Sequence, residues 1–328
     1  MKAAALGLDT SNYRTSVALV DEDGRILMNH RELLPVPEGA RGLRQSEAVF
    51  AQVRQLRESE SLLRQAAGEA RIAVVAASTR PGDGEASYMP VFQVGHTVGA
   101  MLAAAMNVPL VMTTHQRAHL AAAGYGTRLQ EAESYLALHL SGGTTDLLSL
   151  RGDTLETLGS GGDLHAGQLV DRIGVAMGLP FPAGEALEQL AARGRSEGRL
   201  GKSVEREPIV CHFSGAETRA MGWIREGCMP REDIAREVYD LLSRTVIAML
   251  RAGMEKTGQR EALIAGGVAS STLLREMLTH RCQRECPALR LTFGRPELSG
   301  DNAVGVALIG VRSLKSGGRS EEYGGANP

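Results

Sequence analysis

Two histidines four residues apart, His115 and His119, carry the first sign of chemistry in this chain. Their alanine-rich flanks suit a helix, on which positions i and i+4 share a face and both imidazoles can reach one metal ion. Downstream, the apolar run Tyr135 to Leu140 ends in Ser141-Gly142-Gly143-Thr144-Thr145-Asp146. Closely spaced backbone N–H groups in such a turn hold phosphate oxygens. A third group comes late, where Ser299-Gly300-Asp301-Asn302 opens a final helix to Ser313. A helical histidine pair alone is more often incidental than ligating, but two imidazoles with the Asp301 carboxylate suit Fe2+ or Zn2+. A metal set and a phosphate turn together suggest a nucleotide enzyme.

The elements that must position these groups alternate between strand and helix. Ala3 to Leu8 reads as a strand running into Asp9-Thr10-Ser11-Asn12, with a second strand from Arg14 to Val20 and an Asp23-Gly24 hairpin after it. Glu47 to Ala67 has helical spacing that predicts a core face of Val49, Phe50, Val53, Leu56, Leu62 and Leu63. Ile72 to Ala77 is a strand ending in a polar turn from Ser78 to Gly84, Phe92 to Asn107 a helix, and Val108 to Met112 a strand leading to His115. Strand, polar turn, strand, Gly-Asp turn and strand then recur from Leu136 to Gly159, as they do from Leu6 onward. We read this as duplication of one fold unit. A helix from Ala166 to Met177, a solvated loop or insertion from Arg193 to Glu207, a long amphipathic helix from Ile234 to Lys256 and a strand from Ala262 to Ala265 follow. That last strand ends in Gly266-Gly267 before a helix near Thr272, a turn against which a flat ligand can lie.

Composition narrows the class. A chain of 328 residues with 43% hydrophobic and 23% charged side chains is ordinary for a globular protein of two domains. The net charge of −2 argues against a broad basic surface for nucleic acid, though not against a local patch or a partner subunit carrying phosphate contacts. The 4 cysteines show no disulfide framework; Cys282 and Cys286 are either half of a metal site or buried thiols. With no signal-type N-terminus and no long apolar run, a cytoplasmic protein is expected.

Two phosphate-type hairpins and one strand–Gly-Gly–helix turn are the contacts of a duplicated, actin-like ATPase fold. The expectation is therefore an α/β protein of two RNase H-like halves with a nucleotide cleft between them. The first half would be residues 1–113 plus a C-terminal helix over 301–315. Residues 114–133 would connect as a metal-binding helix, 134–300 form the second half, and 316–328 a disordered tail. Arg14, Arg117 and Arg80 form a candidate anion cluster for a carboxylate or phosphate.

These motifs, in their order and spacing, resemble the TsaD family of tRNA threonylcarbamoyladenosine synthases, formerly called O-sialoglycoprotein endopeptidases, over about residues 3–313. The matching parts are His115-x-x-x-His119, Ser141-Gly-Gly-Thr-Thr145, Asp163 with Gly167 and Asp171-Arg172, Gly178 to Gly184, Phe213-Ser-Gly215, Ala265 to Ala269 and Asp301-Asn302. The resemblance implies transfer of a threonylcarbamoyl group from threonylcarbamoyl-AMP to the adenosine beside the anticodon of tRNA, helped by one divalent metal. It implies that Ser141, Gly142, Gly143, Thr144 and Thr145 hold the phosphate, Asp171 the ribose, and Gly184, Gly267 and Ser271 the adenosine. TsaB-like and TsaE-like subunits, and a homodimer, are the implied partners besides tRNA.

The departures are specific. The family's acidic pair before the first-turn threonine is Tyr13-Arg14 here, its Glu-Gly between the histidines is Arg117-Ala118, and its glycine-rich stretch reads Glu38-Gly-Ala-Arg-Gly-Leu43. Gln168 and Ser271 replace a usual Glu and Asn. Such a chain looks like a divergent paralogue. A carbamoyl transferase for another acceptor, or a non-catalytic nucleotide-binding subunit, stays open beside the tRNA acyltransferase. A peptidase does not fit, because the histidines lack the Glu of H-E-x-x-H.

Overall fold

The computed structural model describes residues 1–36, 43–83, 87–317 and 321–322. The Glu38–Gly42 stretch, the end of the turn at Gly84, and all of the C-terminal tail after Gly317 except 321–322 lie outside the described residues. The chain divides into two compact units, one of Met1–Ala123 with Gly300–Pro328 and one of Gly124–Ser299.

The first unit is built on a mixed sheet. β1 (Lys2–Thr10), β2 (Arg14–Asp21) and β3 (Ile26–Leu33) form an antiparallel meander. β4 (Ala70–Arg80) lies parallel to β1 on its other side, and β5 (Leu110–Thr114) parallel to β4. Around the sheet are α1 (Gln45–Glu58), α2 (Glu60–Ala66), α3 (Phe92–Met106), α4 (His115–Gly124) and, from the chain's end, α10 (Val304–Lys315). Alternation along β1 sends successive side chains to opposite faces. Leu8 meets α3 at Gly99, whereas Ala5 and Gly7 meet α10. Asp9 belongs to the α10 face by the same period of two. In the tail for which the sequence predicts disorder, Glu321–Glu322 form β13, parallel to β5.

The second unit repeats this order. β6 (Ser134–Leu140), β7 (Thr145–Arg151) and β8 (Thr154–Gly161) form the meander, with β11 (Glu261–Ala265) parallel to β6 and β12 (Arg290–Phe293) parallel to β11. The sheet orders β3-β2-β1-β4-β5 and β8-β7-β6-β11-β12 are the same. The duplication expected from the two hairpins is therefore the organising feature of the fold. α5 (Ala166–Ala176), α6 (Gly184–Ala191), α7 (Ser214–Glu226), α8 (Arg231–Thr257) and α9 (Thr272–Glu285) complete the unit. α8 runs long because Glu232 and Asp233 favour its N-terminal turn while Leu241, Leu242, Val246 and Met249 bury one face.

Three expectations are corrected. Residues 193–207 are not simply a solvated loop. Ser203–Arg206 form β9, antiparallel to β10 (Ile209–His212), and Leu200 is fully buried. The buried Glu237 carboxylate accepts from Glu197 N at 2.6 Å and Leu200 N at 3.2 Å, which lets this polar segment fold against α8. The helical period expected from residue 47 on is present, with Val49, Leu56 and Leu63 packed against the core, but the inner face is partly polar. Phe50 and Val53 are 66% and 56% exposed while Gln52 and Gln55 are buried. Gln52 and Gln55 join Ala48 on the inner face of α1 and hydrogen-bond the β1–β2 turn and β3. The last helix begins at Val304, so Asp301 stands before it, with Asn302 Oδ1 accepting from Val304 N at 3.0 Å. Among the described residues no helix is long and apolar enough to cross a membrane.

Candidate active site

β5 runs without a linker into α4, so His115 is the helix's first residue and His119 lies one turn on. Their Nε2 atoms are 3.0 Å apart. Asp301 Oδ1 is 3.6 Å from His115 Nε2 and 3.3 Å from His119 Nε2. These are the one group of three or more His, Cys, Asp or Glu side chains among the described residues with metal-ligand spacing. Donors about 2.0–2.2 Å from a shared cation stand about 3–3.5 Å from one another, so the set fits a divalent ion.

The surroundings fit as well. Asp9, with 0% exposure, places both carboxylate oxygens 3.0 Å from His115 Nδ1. An Nδ1–H donating to that carboxylate leaves the Nε2 lone pair facing His119 and Asp301, the carboxylate–histidine arrangement of metal sites. Ser78 Oγ donates to Asp9 Oδ1 from the other side. Ser11 Oγ donates to Asp301 Oδ2 at 2.6 Å, which leaves Oδ1 toward the imidazoles. Burial works against a charged His115, but the Asp9 and Asp301 carboxylates outweigh it and hold the imidazole well above its ordinary 6.5. Burial would likewise raise the Asp301 carboxyl, yet hydrogen bonds from His115 and His119 hold it well below its ordinary 3.8.

Of the three arginines in the candidate anion cluster, Arg117 is held by an acid. Arg117 pairs with Asp83, Nη2 to Oδ2 at 2.6 Å and Nε to the two oxygens at 3.1 and 2.9 Å. Asp83 also accepts from Thr114 Oγ1 at 2.9 Å. The positive charge between the two histidines is thus neutralised by a neighbouring loop. Arg14 begins β2, with its amide donating to Ser11 Oγ at 3.3 Å, and Arg80 ends β4.

In the second unit, Ser141 N donates to Thr144 O at 2.8 Å and closes the turn between β6 and β7. A β-carbon on Gly142 or Gly143 would meet nothing, so this backbone faces open space. The start of α5 abuts it: Gly167 N donates to Ser141 O at 3.0 Å, and a β-carbon on Gly167 would lie 2.7 Å from Gly142 N. Gly266, at φ 98°, packs on the Leu140 carbonyl, which sets the Gly266-Gly267 turn beside the serine-glycine turn. Asp171 accepts from Ala183 N at 2.8 Å, fixing the approach to Gly184, and Ser271 caps α9 by accepting from Leu274 N at 3.1 Å. Asp163 accepts from Phe213 N at 2.8 Å and Ser214 N at 3.2 Å, which ties the Phe-Ser-Gly segment to the start of α5. Cys282 and Cys286 are buried thiols, burial pushes Cys282 up to about 11, and neither belongs to the group of three or more potential metal ligands found among the described residues.

A family model described as tRNA N6-adenosine threonylcarbamoyltransferase matches residues 53–308. The chain belongs to this TsaD family. Curated relatives of the same name are 30% identical over 318 residues in Thermococcus sibiricus, covering 95% of this chain and 92% of that one, and 31% identical over 314 residues in Methanopyrus kandleri, covering 93% and 86%. Among solved structures, full-length HypF in its phosphate- and nucleotide-bound form aligns at TM-score 0.61 and 11% identity, over 98% of this chain and 48% of HypF. The chain therefore spans about half of HypF. A ROK family glucokinase from Streptomyces griseus in complex with glucose and AMPPNP aligns at TM-score 0.52 and 13% identity, over 93% of this chain and 98% of that one. At such identities the likeness is one of fold, the duplicated actin-like ATPase fold.

His115, His119 and Asp301 lie inside the region that the TsaD family model matches, whereas Asp9 and Ser11 precede it. From sequence their turn reads as a carboxylate and hydroxyls of the kind that hold metal-bound water or phosphate oxygens, not as support for His115 and Asp301. Tyr239 was also missed, being read as part of a core-facing helix. Its hydroxyl donates to Gly184 O at 3.1 Å and also meets Ser271. Burial above all, with the charge of Glu188, holds this phenol above its usual range.

Proposed function

We propose that this chain binds threonylcarbamoyl-AMP and transfers the threonylcarbamoyl group to the exocyclic amine of the adenosine beside the anticodon in tRNA, releasing AMP. The observation that carries the reading is the His115–His119–Asp301 cluster with Asp9 and Ser11 behind it. A divalent ion held there, Fe2+ or Zn2+, would supply Lewis acidity toward the carbonyl and carbamate oxygens of the donor. Asp9 holds the His115 tautomer, and Ser11 fixes which Asp301 oxygen faces inward. The open backbone of the Ser141–Thr145 turn suits the donor phosphate, since preorganised N–H groups stabilise negative charge without reorganisation. Asp171, Gly184, Gly267 and Ser271 belong to the adenosine side in this reading, with Tyr239 joining the last of them to Gly184. The nucleophile is the RNA amine, so the protein needs none of its own. The net charge of −2 favours accessory subunits, TsaB-like and TsaE-like, in holding the tRNA.

A second acceptor is favoured by one observation. Tyr13, 64% exposed, and Arg14 stand in the first turn where the family has acids. A smaller amine or carboxylate-bearing acceptor suits that turn better than a proton-transfer step relying on the missing carboxylates. The test incubates the protein with threonylcarbamoyl-AMP and unmodified tRNA, alone and with the accessory subunits, and measures modified adenosine. Formation that disappears with His119→Ala supports the proposal. Bound adenylate without modified adenosine in any combination overturns the tRNA acceptor and leaves the second reading.

A further inference from the structure

Helix α1 buries two glutamines on its inner face, and what they hold leads to the candidate metal ligands. Gln52 has 0% exposure, and its Nε2 donates to the carbonyl of Ser11 at 2.6 Å. Its own Oε1 is buried with no partner among the described residues. A buried amide satisfied on one side only is a cost that an apolar side chain would avoid. Two other glutamines of the same helix reach the same turn. Gln45 Nε2 donates to Asn12 Oδ1 at 2.7 Å, and Gln55 Oε1 accepts from Thr15 Oγ1 at 2.7 Å.

Ser11 is the residue that this contact fixes. It is 2% exposed, and its hydroxyl has two acceptors in reach, Asp301 Oδ2 at 2.6 Å and Arg14 O at 3.5 Å. One hydroxyl proton cannot serve both, and the short contact takes it. We infer that Gln52 is a positioning residue for the metal site: by holding the Ser11 carbonyl it aims the Ser11 hydroxyl at Asp301 Oδ2, so that Oδ1 alone faces His115 and His119. The inference rests on the metal reading of these three residues and extends it to a helix outside the ligand set.

The role differs from support of the fold. Hydrogen-bonding partners behind a ligand typically change metal affinity about 10–100-fold when removed. A ligand carboxylate freed from Ser11 can also turn and offer both oxygens, which changes the geometry around the ion. Thr15 provides the contrast, since its bond to Gln55 is as buried but does not lead to Asp301.

The experiment titrates the metal-free protein with Co2+ and records both affinity and the visible d–d spectrum, alongside urea unfolding. Gln52→Leu and Ser11→Ala are expected to weaken Co2+ binding about 10–100-fold and to alter the spectrum. Thr15→Val is expected to lower stability while leaving affinity and spectrum at wild-type values. Should Gln52→Leu fail to fold, Gln52→Glu, which keeps the size but not the donor, takes its place. Wild-type affinity and spectrum in the Gln52 variant overturn the inference and leave the metal reading standing. A wild-type protein that takes up no more Co2+ than His119→Ala overturns the metal reading itself.

Discussion

The carbonyl of Ala118 packs directly against Gly305, so closely that a β-carbon on the glycine would collide with it. Ala118 stands in the turn of α4 between the two histidines, and Gly305 in the first turn of α10, four residues after Asp301. On the other side of α10, a β-carbon on Gly7 of β1 would lie 2.6 Å from Ala303 O and Ala307 N. Two glycines therefore let α10 press backbone to backbone between β1 and α4. That approach is what brings a carboxylate from the end of the chain to His115 and His119.

Gly305→Ala should separate α4 from α10. Forcing a methyl into a packed contact against backbone costs about 1–3 kcal/mol. The displacement also moves Asp301 away from His119, so divalent metal should be lost along with stability. Urea unfolding and metal analysis of the purified variant check both. A variant with wild-type midpoint and wild-type metal content would show that the approach is not what positions Asp301.

Arg117 and Asp83 make a second testable pair. Their side chains are 9% and 17% exposed, and the contact is bidentate. Removing one member of such a buried pair destabilises by about 3–5 kcal/mol. Asp83→Ala should therefore unfold at clearly lower urea than the wild type. The double variant Asp83→Ala, Arg117→Met should recover part of that loss, since neither charge then remains. If the double variant loses as much as the sum of the two single ones, the residues are not coupled.

What the sequence disclosed, and what it hid, follows from the range of each interaction. The meander after each apolar strand was legible because strand, turn and strand are neighbours in sequence, and the two copies share one topology. The histidine pair was legible from helical spacing. Asp9 was not legible as the partner of His115, because 106 residues separate them and only the order β1-β4-β5 brings them together. The period of α1 was visible but not the polar part of its inner face. Phe50 and Val53 carry part of the hydrophobic signal, and the amides of Gln52 and Gln55 win part of the inner face through specific hydrogen bonds that no hydrophobicity pattern encodes. Arg117 read as a free cation because its partner lies 34 residues away, in a turn that gave no helical or strand signal.

The charge state of His115 gives the last prediction. In the metal-free protein its folded pKa stands well above the ordinary 6.5, because Asp9 and Asp301 outweigh burial. The stability this contributes is fully present below about pH 6.5 and is lost as pH rises through the raised value. Asp301 has the opposite sign: held below 3.8, it contributes above that value and loses its contribution as pH falls through the depressed one. A divalent ion must therefore compete at Nε2 with the proton that Asp9 and Asp301 favour on His115. Calorimetric titration of metal-free protein with Zn2+ in buffers of different ionisation enthalpy should show proton release on binding, decreasing as pH rises. Affinity should rise with pH until the raised pKa is passed. Asp9→Asn, which removes the charge that holds the proton, should release less and bind Zn2+ about 10–100-fold more weakly. Zinc binding by the wild type with no proton release would mean that His115 is neutral before the metal arrives.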